Sequence, residues 1–371
     1  MIRASALLLC SIFVLPASAA TFTVTASGDS GPGTLKAAID AANANPGRDT
    51  ILFAVPSITV GSSVEELENV LTGPVDVQGA NATIHYSGGL LGQPSPILLF
   101  SPGADGSTVR DLTHPEGHTL VRFAATNSVI TNARGGVDLR GSDNVAQNIT
   151  GPVTVLFGQR NRVTNSTLSG LRVAASEDTL LENNLIACGG GLEITGADTI
   201  LRSNTIHDCT GDAIRVIGVH GVEIESNQFN NVPGKPISLE SGGNHLQPHP
   251  LLVSAALANG TVIVDGSLTS APSTLYRIEL YANAQTPLAS FFVTTGANGL
   301  AAFRHTLNTA LPLGAQITAT ATNKGGTNDT SEMSDAVGVA ASHHAAVPTA
   351  STWALIAMAL GLAFIALKLI R

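Results

Sequence analysis

His207, Asp208 and Asp212 fall within a six-residue span, and Arg215 follows three residues later. Glu193 lies 22 residues before Arg215. Two carboxylates converging on a sugar, one of them held protonated, would hydrolyse a glycosidic bond. A basic arginine beside acidic calcium ligands would instead serve a polysaccharide lyase. The same residues are also accounted for as turn formers, because Asp, like Asn, bonds its own backbone and tolerates tight turns. Chemistry here requires convergence, and convergence depends on the elements that carry these side chains.

Those elements repeat. Val163-Thr-Asn-Ser166-Thr-Leu168, Leu181-Glu-Asn-Asn184-Leu-Ile186, Leu201-Arg-Ser-Asn204-Thr-Ile206 and Ile224-Glu-Ser-Asn227-Gln-Phe229 share one pattern, with Ser166, Asn184, Asn204 and Asn227 spaced by 18, 20 and 23 residues. A second ladder of alternating segments starts at Leu120, Val137, Val153, Leu171, Leu192, Ile214 and Ile237. Segments this short, rich in Val, Ile and Leu and separated by Gly, Asn, Asp and Ser, read as half-buried strands. Their period is that of a solenoid, and a parallel β-helix fits where a leucine-rich repeat does not. The recurring Asn suits a left-handed turn and can bond to its equivalent one rung away. Arg172, Glu193, Arg215 and Ser238 take equivalent outward places on successive coils, which reads either as a solvated sheet face or as charges pairing along the stack.

Residues 120–240 resemble the right-handed parallel β-helix repeats of extracellular bacterial proteins. The string DSGPGTLKAAIDAANANPGRDTILF across Asp29–Phe53 is similar to the opening of a large group of bacterial surface β-helix proteins. Read physically, Thr34 caps a short helix with Leu35, Ile39 and Ala42 on one face, Asn45-Pro46-Gly47 ends it, and Ile51 begins a strand. Such a helix would plug the open end of the stack. Polygalacturonase-like β-helices carry Asn-Thr-Asp, Asp-Asp and Gly-His-Gly motifs. Asn204-Thr205-Ile206 and Gly218-Val-His220-Gly221 echo them only in part, and His220 reads as a turn residue.

The ends bear on localisation. Met1–Ala20 reads as a secretory signal, with Arg3, a short apolar core and Pro16-Ala-Ser-Ala-Ala20. At the other end an apolar run from Trp353 to Leu367 precedes Lys368 and Arg371. It is shorter than the roughly 20 residues that span a bilayer comfortably. The preceding Val347-Pro348-Thr349-Ala350-Ser351-Thr352-Trp353 resembles the IPTL-CTERM type of sorting tail, with Ala350 and Ala354 departing from its pattern. That resemblance implies a Gram-negative host and recognition by a membrane sorting machinery. A permanent single-pass anchor is the alternative reading.

After residue 250 the coil period vanishes. Longer strands are expected at Leu252–Leu257, Val262–Leu268, Tyr276–Ala282, Ser290–Thr295, Ala301–Leu307 and Ile317–Ala321, as in a small β-sandwich. Tyr276–Tyr281, Ala315–Thr322 and Asn328–Glu332 resemble the immunoglobulin-like module that often follows such β-helices. Cys10 leaves with the signal. Cys188 and Cys209, each placed in the turn after an Asn-bearing strand, sit one coil apart, within reach of a disulfide in an exported protein. Unpaired, they are small buried hydrophobes.

A net charge of −9 without a basic stripe argues against nucleic acid as a partner. Hydrophobic content of 44% with 12% charged residues and 38 glycines suits stacked β structure rather than disorder. Together these features predict an all-β chain. Its parts are a signal at 1–20, a β-helix with an N-terminal capping helix at 21–245, an immunoglobulin-like sandwich at 246–338, a linker at 339–346 and a sorting or transmembrane helix at 347–371. The expected function is non-catalytic adhesion, or binding of polysaccharide or an envelope component, at the cell surface. No cofactor is called for, and the two histidines of the linker, His343 and His344, are not read as a metal site. A β-helix lyase or hydrolase and a structural spacer are the alternatives.

Overall fold

The computed structural model describes residues 18–61, 69–86, 96–116, 119–309 and 311–342. The signal core and the sorting motif at Val347, Pro348, Thr349, Ser351 and Trp353 lie outside these residues, as do His343 and His344. Among the described residues no helix is long and apolar enough to cross a membrane.

Up to residue 240 the chain winds into coils of two parallel sheets. The first sheet runs through Val145–Thr150, Arg162–Thr164, Leu180–Glu182, Ile200–Arg202 and Glu223–Glu225. The second runs through Gly136–Leu139, Val153–Leu156, Leu171–Glu177, Leu192–Ala197, Ile214–Ile217 and Ile237–Glu240. Register is kept from coil to coil, so Val163, Leu181, Leu201 and Ile224 stack as one fully buried file. Each such side chain contributes roughly 1.5–3 kcal/mol by leaving water. Ordering a coil of about 20 residues costs roughly 1–2 kcal/mol per residue, so a coil is stable only between neighbours.

The first sheet bends at the polar ladder. Asn184 accepts from Ser166 N–H (3.0 Å) through its Oδ1 and donates to the Val163 carbonyl (2.9 Å). Asn204 accepts from Asn184 N–H (3.0 Å) and donates to the Leu181 carbonyl (2.9 Å). Asn227 continues the series by accepting from Asn204 N–H at 3.0 Å. Ser166 ends it by accepting from Ile149 N–H at 3.0 Å. The left-handed conformation expected of these residues belongs instead to the preceding ones. Asn165, Asn183, Ser203 and Ser226 have φ of 52°, 56°, 54° and 53°. That bend turns the ladder side chain inward and frees its amide to span two coils. A second buried polar file, with Ser128, Asn144 and Asn161 on successive coils, lies at the corner between the sheets.

The helix Leu35–Ala44 covers the first coils. Thr34 caps it by accepting from Ala37 N–H (3.3 Å), and Leu35 and Ile39 join the β-helix core. Beyond residue 250 the strands form a sandwich around Val262, Val264, Ile278, Leu280, Ile317 and Ala319, antiparallel except where Val337–Ala341 runs parallel to Leu251–Ala258. Two strands depart from expectation. Thr286–Thr294 begins four residues before the expected start at Ser290, despite Pro287, which is tolerated because this is an edge strand. Val337–Ala341 is a strand where the linker was expected to begin at residue 339. It pairs Gln316–Ile317 on one side and Ala255–Leu257 on the other, although its Val-Gly-Val-Ala-Ala sequence carries little β preference.

The sandwich closes the last coil. Gly221 N–H donates to Asp329 Oδ1 (2.7 Å), Ile224 N–H to Thr330 Oγ1 (2.9 Å) and Phe229 N–H to the Gln285 carbonyl (2.9 Å). Ser226 N–H donates to both Glu279 oxygens (3.0 and 3.1 Å), and Leu239 N–H to Glu332 Oε1 (3.0 Å). Tyr281 packs into the β-helix core, its ring 6.4 Å from that of Phe229.

The ladder makes opposite demands on adjacent positions. Asn204→Ala leaves the Asn184 N–H and the Leu181 carbonyl unpaired in the core and is expected to cost about 2–4 kcal/mol. Ser203→Gly relieves a left-handed residue and is expected to be neutral or stabilising by up to about 1 kcal/mol. Urea unfolding of both variants measures the contrast, and equal losses would contradict the inward placement of Asn204.

Candidate functional site

The candidate catalytic residues fall into two sets, His207 with Asp208, and Glu193 with Arg215 and, near their neighbour Glu240, Asp212. His207 and Asp208 lie within strand Thr205–Cys209 of the first sheet, not in a turn after it. Asp208 is left-handed at φ 54° and exposed to solvent. Its carboxylate accepts from Asn231 Nδ2 at 2.9 Å and lies 2.8 Å from His207 Nδ1. The Asn231 hydrogen bond, then that of His207, holds Asp208 below the usual carboxylate range. Asp212 lies in the turn between Thr205–Cys209 and Ile214–Ile217, where its Oδ1 accepts the Lys235 N–H at 2.8 Å. Arg215 lies on the second sheet, 2.8 Å from Glu193 and 2.7 Å from Glu240. Its hydrogen bond keeps the Glu240 carboxyl low.

A general acid needs the opposite shift, toward a retained proton. Asp208 and Glu240 are held as anions by their partners and suit pairing rather than proton donation. The expected charge pairing along the outer row holds for Glu193 and Arg215, but Ser238 is buried. Arg202 likewise bridges Glu182 (3.5 Å) and Glu225 (3.2 Å) on the coils before and after it. Cys188 and Cys209 are joined by a disulfide with Cα atoms 4.9 Å apart. Both lie within strands Leu185–Gly189 and Thr205–Cys209 rather than in turns. The two strands are parallel neighbours with Gly189 paired to Cys209, so the cysteines stand one residue out of register on adjacent coils.

The surface of the first sheet carries a different feature. The left-handed bend that aims Asn184 and Asn204 inward aims its neighbours outward. Asn132, Asn148, Asn165 and Asn183 are exposed on four successive coils, with φ of 52°, 54°, 52° and 56°. Asn148 Nδ2 donates to Asn132 Oδ1 at 3.1 Å. Gln147 is paired in register with Thr164, and Thr150 with Thr167. The result is a strip of amides and hydroxyls repeated once per rung, with Arg134 and Glu182 in register beside Thr150 and Thr164 and Asp111 bonded to Asn132. It can donate to and accept from a hydroxylated polymer along its length.

The contact between β-helix and sandwich was not legible from spacing. Glu223 and Arg277, both buried, pair at 3.1 Å, and Lys324 reaches Glu223 at 2.9 Å. Arg277 also bonds Glu225 at 2.6 Å. These partners are 54 and 101 residues apart for Glu223, so no local motif announces them. Nearby, Asp329 Oδ2 lies 2.8 Å from His245 Nδ1, and the rings of His220 and His245 stack at 4.2 Å. His220, expected as a plain turn residue, therefore takes part in this contact. Asn244, His245 and Leu246 are successive left-handed residues, at φ 44°, 50° and 50°. Asn244 anchors them by donating to the Val222 and Thr330 carbonyls at 2.8 and 2.9 Å. Among the described residues no group of three His, Cys, Asp or Glu side chains is disposed to hold a metal ion.

Residues 117–249 match the family model described as right handed beta helix region. Among solved structures, the enzymatically active domain of tailspike protein 2 from bacteriophage CBA120 is similar over 85% of this chain and 74% of its own, at 8% identity and a TM-score of 0.35. The corresponding domain of tailspike protein 4 from the same phage is similar over 82% and 66%, at 8% identity and a TM-score of 0.29. A mutant tailspike protein of E. coli bacteriophage HK620, in complex with a pentasaccharide, is similar over 77% and 88%, at 9% identity and a TM-score of 0.27. No curated protein matches the chain.

One carboxyl here is shifted upward. Desolvation, then the nearby Asp178 and Glu177 carboxylates, raise Asp198 above its ordinary value. A raised folded-state value means that ionising Asp198 weakens the fold as pH rises through that value, while below the unfolded value the contribution is fully retained. Asp198→Asn is expected to raise the melting temperature at neutral pH and leave it unchanged below the carboxylate range. Melts of both proteins across pH test this, and a variant that melts lower at neutral pH contradicts it.

Proposed function

We propose that this is an exported bacterial surface protein that binds a polysaccharide along its β-helix without cleaving it. The observation that carries the reading is the outward row of Asn132, Asn148, Asn165 and Asn183, held in register on successive coils. A periodic strip of amides matches the periodic hydroxyls of a glycan chain. Asp208, one of the candidate carboxylates, is held low by its partners, as is Glu240 beside Arg215, which favours binding over acid catalysis. On this reading the rod is closed by an immunoglobulin-like module, which also sets it off from the membrane.

Export is supported by the signal-like Met1–Ala20 and by the Cys188–Cys209 disulfide, since such bonds persist in oxidising compartments. The tail from Val347 would engage a membrane sorting machinery and then be removed. Mass spectrometry of the mature protein from fractionated cells is expected to show termini near Ala20 and before Trp353. A mature mass that retains Trp353–Arg371 contradicts release and favours a permanent anchor.

Glycan binding is tested with the triple variant Asn148→Gly, Asn165→Gly and Asn183→Gly. Glycine accepts the left-handed conformation, so the fold is retained while the amides are lost. Each lost hydrogen bond is worth about 0.5–1.5 kcal/mol, so binding should weaken about tenfold or more. Affinity electrophoresis in gels holding neutral or acidic polysaccharides measures it. Unchanged retardation of the variant, or release of new reducing ends by the unaltered protein, would sink the proposal.

A further inference from the structure

The corner at which the second sheet turns back into the first carries Phe157. It is 69% exposed, the highest value among the exposed large apolar side chains of the described residues. It is also left-handed, with φ 65°, a conformation unusual for a bulky side chain. Gly158 N–H donates back to the Leu156 carbonyl at 2.8 Å, so Phe157 sits at the centre of a γ-turn of the rare, strained kind. The backbone packs closely beside it. A Cβ at Gly158 would meet the Gly141 carbonyl oxygen at 1.9 Å, and one at Gly141 would meet that of Ala125 at 1.9 Å. An aromatic ring is therefore held outward on a close-packed turn at a position where glycine would be more comfortable.

The ring has fixed polar company along the chain. Gln159 Nε2 donates to Glu177 Oε2 at 2.7 Å on the next coil. Arg160 grips Asp143 through two bonds of 2.7 Å and reaches Gln159 Oε1 at 3.3 Å. Arg140, on the preceding coil, bonds Asp138 at 2.9 Å. Each guanidinium is matched by a carboxylate, so the corner presents little net positive charge to a polyanion.

We propose that this corner is a stacking subsite for a neutral pyranose, separate from the asparagine row. The C–H face of the sugar lies on the Phe157 ring, and its hydroxyls reach the Gln159 amide, Arg160 and Glu177. The compensated charges favour an uncharged ligand, and the pairing of ring with planar polar groups requires a molecule with both an apolar face and hydroxyls. A second copy of the chain or an apolar peptide would leave those polar groups unmatched. This assignment rests on the glycan-binding reading and names a place on the molecule that the reading does not.

The test is affinity electrophoresis of the full chain through gels containing dextran, galactomannan or mixed-linkage β-glucan. Phe157→Gly and Phe157→Trp are compared with the triple asparagine variant. Phe157→Gly should weaken retardation at least fivefold, with an unchanged or raised melting temperature, whereas Phe157→Trp should keep it. Loss of retardation in the triple variant together with full retention in Phe157→Gly would overturn the subsite and leave glycan binding standing. A Phe157→Gly protein that melts well below the parent would show the ring to be a packing residue and would also overturn it. If none of the three neutral polysaccharides retards the unaltered protein, the neutral-sugar subsite falls, while retardation in acidic polysaccharide would preserve the broader reading.

Discussion

Every parallel strand presents backbone donors and acceptors to the coil beside it, and those groups cannot be left bare inside a protein. The rest of this structure depends on that requirement. Coil upon coil satisfies it in the described residues between 21 and 240, and the asparagine ladder extends it into the interior, where side-chain amides complete the backbone pairing at the bend. The last coil has no successor. The sandwich takes its place, with Asp329, Thr330, Glu279, Gln285 and Glu332 accepting from the open N–H groups of Gly221, Ile224, Ser226, Phe229 and Leu239. The sandwich is thus part of the β-helix's stability as well as a separate fold.

Closing the rod this way brings charge into the contact. Glu223 and Arg277 are almost fully covered, and a buried pair stabilises little on balance because desolvating both ions offsets most of their attraction. Lys324 and Glu225 add further partners on the two sides, so each carboxylate meets a cation at hydrogen-bonding distance. Tyr281 beside Glu279 is pushed to a higher value, chiefly by burial, and stays a neutral donor to that carboxylate. A network of this kind specifies one docking geometry, because any other arrangement leaves a buried ion unpaired.

With both ends covered, the surfaces left open to solvent are the sides of the rod. The left-handed bend divides labour between adjacent residues. One amide points in and joins the coils, and its neighbour points out and is free for a ligand. Asn183 and Asn184 show this division side by side. The ion-paired rows on both sheets are satisfied within the protein, whereas the amide strip and the Phe157 corner are only partly so.

Much of the rod was legible in the residues themselves. The interval between Ser166, Asn184, Asn204 and Asn227 determines a solenoid, because an inward amide recurs only where coils repeat in register. Thr34, Leu35 and Ile39 likewise announce a capping helix through local capping chemistry and helical spacing. The tertiary structure decided what local pattern cannot encode. His207 and Asp208 are close to Asp212 along the chain, yet they stand on a strand of the first sheet while Asp212 lies in the turn that follows it. Glu223 and Arg277 are far apart in the chain and meet only because the sandwich folds back onto the last coil. Sequence periodicity reports which way a side chain faces, since that follows from dihedral angles. It does not report which distant surface arrives to meet it, since that depends on how whole elements pack.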